Sequence, residues 1–240
     1  MEIFWITLLT IGASALGTVS GFGISTLMVP IMLFFLPYAE TLLFVGVVHW
    51  FGDLSKLFIF KKGLNWKILL AFGIPGTVAA YIGAKLTFQI STSILSRSVG
   101  IFLVLYVLFI ILKPKFKIKP SFLTASIGGT FSGLLGGLTG VGGGAIRAVV
   151  LTAFNLQKEI YVFTTGVVGA TVDASRIAGY FTGGTRIAHS LLIGLPFFIV
   201  ASFIGVKIGK VLVDKIPQNA FRFVVAFFLF VIGLKFVISP

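Results

Sequence analysis

Apolar residues fill most of the chain, in long runs broken by short polar or glycine-rich punctuation. The runs fall at 3–20, 22–36, 41–60, 66–88 and 94–112. Beyond a basic, proline-flanked stretch, KPKFKIKP at 113–120, they resume at 121–139, 143–154, 160–181, 187–212 and 218–238. Several are long enough to cross a hydrocarbon core about 30 Å thick, which takes about 20 helical residues. The second run of each half is too short for a comfortable crossing. Inside lipid every backbone polar group needs a partner in the chain itself, so such runs predict helices. The expected fold is an all-α integral membrane protein with four or five transmembrane or re-entrant helices on each side of the basic stretch.

The two sides repeat one another. GVVHWFGDLSK from Gly46 matches GVVGATVDASR from Gly166, with Gly, Val, Val, Asp and Ser in register and Lys56 opposite Arg176. Gly21 and Gly23 match Gly140 and Gly142, Gly63 matches Gly183, and GIP at 73–75 matches GLP at 194–196. IGAKL at 82–86 matches IGVKI at 204–208, and Arg97 matches Arg222, with an offset that drifts only from 119 to 125. This order marks a duplication: a first membrane repeat at 1–112, a linker at 113–120 and a second repeat at 121–240. Such repeats are common in secondary transporters.

Loop charge bears on how the repeats are related. Lys61, Lys62 and Lys67 load the loop near 61–67, and the loop near 88–95 has no lysine. In the second half the loop near 182–186 has only Arg186, and the next, near 207–217, carries Lys207, Lys210 and Lys215 against Asp214. The basic loop has moved to the alternate position, which favours an inverted pair with an odd number of crossings per half. Five segments per half satisfy this; four would give a parallel pair.

Composition sharpens the class. Of 240 residues, 58% are hydrophobic and 10% charged, against roughly 25% charged in soluble domains. With 27 phenylalanines and six acidic residues, most of the apolar surface must face lipid. The absence of cysteine excludes disulfides, thiolate metal sites and a cysteine nucleophile. Glu2 stands where a signal peptide would carry basic residues, so the first run reads as a membrane segment. The net charge of +13 sits largely in short loops, where it suits positive-inside topology, and it also attracts anions. The basic residues form no aromatic-interleaved surface, which excludes nucleic acid as a partner.

GLTGVGGGAIR, from Gly137 to Arg147, is the densest glycine stretch. Gly140, Gly142 and Ala145 fit the spacing of a dinucleotide-binding turn, with Glu159 further on, but that turn needs a preceding strand in a soluble βαβ unit. Helix packing through small residues suits GGTFSGLLGG at 128–137. For Gly140, Gly142, Gly143 and Gly144 a broken helix is the better reading, since each interior glycine costs about 1 kcal/mol. A helix that restarts after such a break aims free N–H groups and partial positive charge into a cavity, a cradle for an anion. Arg147, placed in the first turn or so, can fork onto an oxyanion, or else snorkel to the interface. The first-half counterpart SGFGIST supplies Gly21, Gly23, Ser20, Ser25 and Thr26, with Met28 in place of the arginine.

Asp53 and Asp173 lie well inside apolar runs and align in the repeat. An aspartate there costs about 3 kcal/mol or more, so it is a functional candidate by default. Lys56 and Arg176 stand three residues on, on the same helical face. Two roles are open: a structural pin between the repeats, or coupling to H+ or Na+. His49, one turn before Asp53, is a candidate proton relay with Gly169 opposite it in the second half.

Two repeats that each open with a membrane segment leading into a G-x-G element (SGFGIS, TGVGGG), followed by a G-V-V-x-x-x-x-D-x-S-K/R span, resemble the sulfite exporter TauE/SafE family. The resemblance covers essentially the whole chain. It implies a multi-pass inner (cell) membrane transporter of sulfite, sulfonates or related anions. The implied glycine motif falls on Gly21 and Gly23 and on Gly140, Gly142, Gly143 and Gly144; Ile24 and Ser25 stand in the first half where the second has glycines. The expected partners are a small anionic substrate and the lipid bilayer, with H+ or Na+ coupling and a homodimer left open. No cofactor, metal or enzymatic activity is expected; the rival readings are a passive anion channel and a membrane-embedded accessory subunit.

Overall fold

The computed structural model describes residues 2–60, 66–113, 121–154 and 158–215, together with 230, 231, 233, 234, 237 and 238. Lys61, Lys62, Gly63, most of the basic linker, Arg222, nearly all of the last apolar run and the side chains of Ala145 and Glu159 lie outside the described residues. Among the described residues the chain is helical, with no strand.

The helices follow the apolar runs. In the first half they are α1 (Glu2–Ser20), α2 (Ser25–Met32), α3 (Tyr38–Ile59), α4 (Trp66–Gln89) and α5 (Thr92–Leu112). In the second they are α6 (Phe122–Thr139), α7 (Gly142–Ala153), α8 (Lys158–Thr182) and α9 (His189–Lys215). Among the described residues α1, α3, α4 and α9 are long and apolar enough to cross a membrane. Ser121 and Thr124 form a capping box that starts α6, each side chain satisfying a backbone N–H that the helix leaves free. In α4 a π-helical turn at Leu69–Gly73 precedes Pro75. Proline has no N–H to give and its ring crowds the carbonyl four residues back, so the ladder widens there. The matching Pro196 sits within an uninterrupted α9.

α1 and α2 form a hairpin, as do α6 and α7. Gly21 and Gly23 adopt φ of 72° and 83°, and Gly140 adopts φ of 74°, a region that glycine enters without the Cβ clash other residues suffer. The chain then doubles back: Gly17 abuts Gly23 and Ile24, and Thr10 lies 4.0 Å from the Met28 sulfur further along α2. In the second half Gly136 abuts Gly143, and Gly128 abuts Val150. The two hairpin turns meet, with Gly144 against the Phe22 carbonyl and Gly140 against Val29.

Packing is reciprocal between the halves. α1 runs parallel to α9, where Gly194, Gly205 and Gly209 meet Ile3, Ala15 and Thr18 in order. α4 runs parallel to α6, where Gly129, Gly133 and Gly137 meet Phe72, Gly76 and Ala80. The glycines at four-residue spacing make one smooth face, so backbones approach as closely as membrane helices allow. α3 and α8 are antiparallel at the centre: Gly46 meets Arg176, and Asp53 meets Gly166 and Gly169.

The outside is apolar and the middle is charged. Phe4, Trp5, Phe35, Leu105, Leu112 and Phe197 are exposed, whereas Asp53, Lys56, Arg147, Asp173 and Arg176 are buried. A soluble domain shows the reverse, since ionised side chains are almost never fully buried there. This surface suits lipid.

Candidate functional site

The buried charges converge on one cluster between α3 and α8. On α3, Lys56 donates a 2.6 Å hydrogen bond to Asp53 Oδ1. On α8, Arg176 Nε donates to Asp173 Oδ1 at 2.7 Å. Helical spacing of three residues makes each pair; the antiparallel crossing brings them together.

His49 lies between the pairs. Its Nδ1 is 3.2 Å from Asp173 Oδ2 and 2.8 Å from Ser25 Oγ, and its Nε2 is 3.7 Å from Asp53 Oδ1. Ser25, the first residue of α2, also accepts from Arg176 Nη2 at 2.9 Å. The first hairpin thus reaches the second-half pair, across the centre. Tyr180, one turn beyond Arg176, donates to the Gly137 carbonyl of α6.

Arg147 approaches from the other hairpin. It is the sixth residue of α7, at the start of its second turn. Only 3% of its surface is exposed, so it does not snorkel to the interface. Its Nη2 is 3.8 Å from Asp53 Oδ2, too long for a hydrogen bond. Its Nε and Nη2 are both buried with no hydrogen-bond partner among the described residues. These two nitrogens form the side-on edge of a guanidinium, the edge that forks onto two oxygens of one anion.

The other candidates have more local roles. Thr26 turns its hydroxyl back to the Phe22 carbonyl at 2.8 Å, and Ser20 turns to Leu16 at 2.8 Å. Side chains on Gly143 and Gly144 would strike the Ser132 and Phe22 carbonyls, so these glycines let α7 lie against α6 and the first hairpin turn. Gly142 packs against Leu135 and Phe102. The Thr139 hydroxyl takes up the N–H groups of Val141 and Gly142, at 3.4 Å each. Gly21 lies beside Tyr161, and Gly23 beside His49.

Gly169 belongs to the site, though its residue type carries no chemistry. A Cβ there would strike Asp53 Oδ2 and crowd Arg147 Nη1. It occupies the repeat position of His49, and that alignment is the sequence signal that points to it. His49, Asp53 and Asp173 offer ligand atoms within 4.8 Å of one another. Lys56, Arg147 and Arg176 share those carboxylates, so a divalent ion would meet three cations at close range.

A helical, lipid-facing shell around a buried charged centre defines the class: a multi-pass membrane transporter, in which ionisable groups inside the membrane mark the substrate or ion path. Residues 6–236 match the sulfite exporter TauE/SafE family, and the chain belongs to that family. It is 27% identical, over 253 aligned positions, to a protein of Methanocaldococcus jannaschii named as a probable membrane transporter protein. The match covers 91% of this chain and 89% of that relative. The protein is a membrane transporter and not an enzyme.

Proposed function

We propose that the protein is a secondary transporter of small oxyanions in the cell membrane, with sulfite or an organosulfonate as substrate. Arg147 binds the anion between the glycine turns of the two hairpins. The observation that carries this reading is the open side-on edge of Arg147: two buried donors, Nε and Nη2, without a hydrogen-bond partner among the described residues. Buried guanidinium donors left without acceptors are costly, and an oxyanion supplies two acceptors together with a negative charge closer than Asp53, which lies 3.8 Å away. The family supports the choice of sulfur oxyanions.

The two repeats, joined by the basic linker, are inverted in this reading. The antiparallel contact of the equivalent helices α3 and α8 supports it, because a parallel duplication would run equivalent helices the same way. The site then sits where the repeats cross, as alternating access requires. A coupling proton would be held in the cluster of His49, Asp53 and Asp173. Na+ fits it less well, since three cations already share the carboxylates.

Sulfite flux into proteoliposomes tests the reading, with Arg147→Gln beside the wild type. Loss of two charge-assisted hydrogen bonds, at about 1.5–3 kcal/mol each, predicts at least a tenfold loss of apparent affinity. Unchanged affinity in folded Arg147→Gln would reject the binding role. Sulfite accumulation driven by an imposed pH gradient separates a coupled transporter from a passive channel.

A further inference from the structure

We propose that the site as it stands accepts one negative charge, and that a dianion enters only together with a proton carried by His49. The inference rests on the anion site at Arg147 and adds the charge of its occupant.

The charge inventory is uneven. Among the described residues three cations, Lys56, Arg147 and Arg176, meet two carboxylates, Asp53 and Asp173, all buried. Lys56 and Arg176 are each hydrogen-bonded to the carboxylate on their own helix, at 2.6 and 2.7 Å. The surplus positive charge therefore resides at Arg147, whose distance to Asp53 is 3.8 Å. A monoanion on the open edge of Arg147 balances the cluster. A dianion leaves one negative charge uncompensated within the membrane, where such a charge is expensive.

His49 is placed to supply the compensating charge. It contacts both pairs and is itself almost fully buried. Among the described residues its Nε2 has no hydrogen-bond partner, and neither does Asp53 Oδ2 or Asp173 Oδ2. An imidazolium has two donors and no acceptor. It would turn Nδ1–H toward Asp173 Oδ2 at 3.2 Å, giving up the 3.4 Å contact with Arg176 Nη2. It would turn Nε2–H toward Asp53 Oδ1, 3.7 Å away and reached by a small shift. The charged groups around it are Asp53 and Lys56 on α3, Asp173 and Arg176 on α8, and Arg147 on α7 beyond Asp53. From α2 it meets the uncharged Ser25. α9 packs on the middle of α3 with Phe198 and Ser202, also uncharged. Asp53 and Asp173 already pair with Lys56 and Arg176 through Oδ1, so a proton on either carboxylate would give up an ion pair, whereas a proton on the histidine adds charge attraction to both carboxylates.

The experiment is anion binding to purified full-length protein in weakly buffered detergent solution, with a pH-indicator dye reporting proton uptake. The probes are methanesulfonate, a monoanion throughout the neutral range, and sulfate, a dianion throughout it. Methanesulfonate should bind without proton uptake and with an affinity independent of pH. Sulfate should bind with uptake of about one proton, and its affinity should fall about tenfold per pH unit as pH rises. In His49→Gln the uptake should vanish and the sulfate-to-methanesulfonate affinity ratio should fall at least tenfold. Sulfate binding without proton uptake in the wild type overturns the proposal, as does uptake that persists in His49→Gln. Those outcomes leave the Arg147 site standing. Wild-type protein that binds neither anion, or binding that Arg147→Gln leaves unchanged, removes the anion site and this inference with it.

Discussion

Asp53 has more partners than any other carboxylate described in the molecule: Lys56 hydrogen-bonds it, and His49 and Arg147 approach it. Removing its charge strands Lys56, whose side chain is buried with it. Breaking one side of a buried pair costs about 3–5 kcal/mol, whereas removing both sides is often close to neutral. Asp53→Asn should therefore lower thermal stability strongly, and Asp53→Asn with Lys56→Met should recover most of the loss. Unfolding in detergent followed by tryptophan fluorescence checks this; a double variant no more stable than the single one would show that the pairing is not what Asp53 supplies. Gly169→Ala asks a different question. Its methyl group would occupy the space of Asp53 Oδ2 beside Arg147. The expected outcome is weaker sulfite binding in protein that still inserts and purifies, and affinity measured on purified protein decides it.

Helix contacts in this protein depend on missing side chains. Along α6 the Cβ positions of Gly129, Gly133 and Gly137 are taken by backbone of α4. Backbone cannot rotate away as a side-chain tip can, so Gly133→Val must push the helices apart. Overpacking of this kind costs about 1–3 kcal/mol, and a lowered melting temperature would register it. Thr130 lies on the same helix but its residue is exposed, and Thr130→Val should leave the melting temperature unchanged. The hairpin turns are more demanding still. Gly23 combines φ of 83° with a Cβ position against the His49 ring. Gly23→Ala should therefore impair both folding and the pH response of transport, whereas Gly12→Ala, on α1 with open space around it, should do neither.

Across the whole molecule, the inverted arrangement proposed above makes a prediction about sides. Lys67, at the start of α4, and Arg186, just before α9, occupy corresponding places in the two repeats and are both exposed. Single cysteines at these positions, in a chain that has none of its own, should react with a membrane-impermeant maleimide from opposite sides of the membrane. Reaction from the same side would mean a parallel duplication and would contradict the antiparallel crossing of α3 and α8. The same crossing explains why the charges meet at all: it places the middle of one repeat against the middle of the other.

Much of the architecture is legible in the sequence, because lipid imposes simple rules. Apolar runs near helix-crossing length must be helices, and the described helices follow them closely. The pairs Asp53–Lys56 and Asp173–Arg176 are local, fixed by helical periodicity within a single turn. Arg147 is another matter. Its neighbours are apolar or small, so no polar stripe in the sequence tells which way it faces, and an interface position reads as well as a central one. Only the packing of the second hairpin against α3 and α8 buries it. His49 and Ser25 are joined to Arg176 across separations of 127 and 151 residues, which no local pattern encodes. Composition and periodicity determined the solvent and the helices, since these depend on each segment's own chemistry. The tertiary structure decided which charges share one buried site, since that depends on how segments distant in the chain cross.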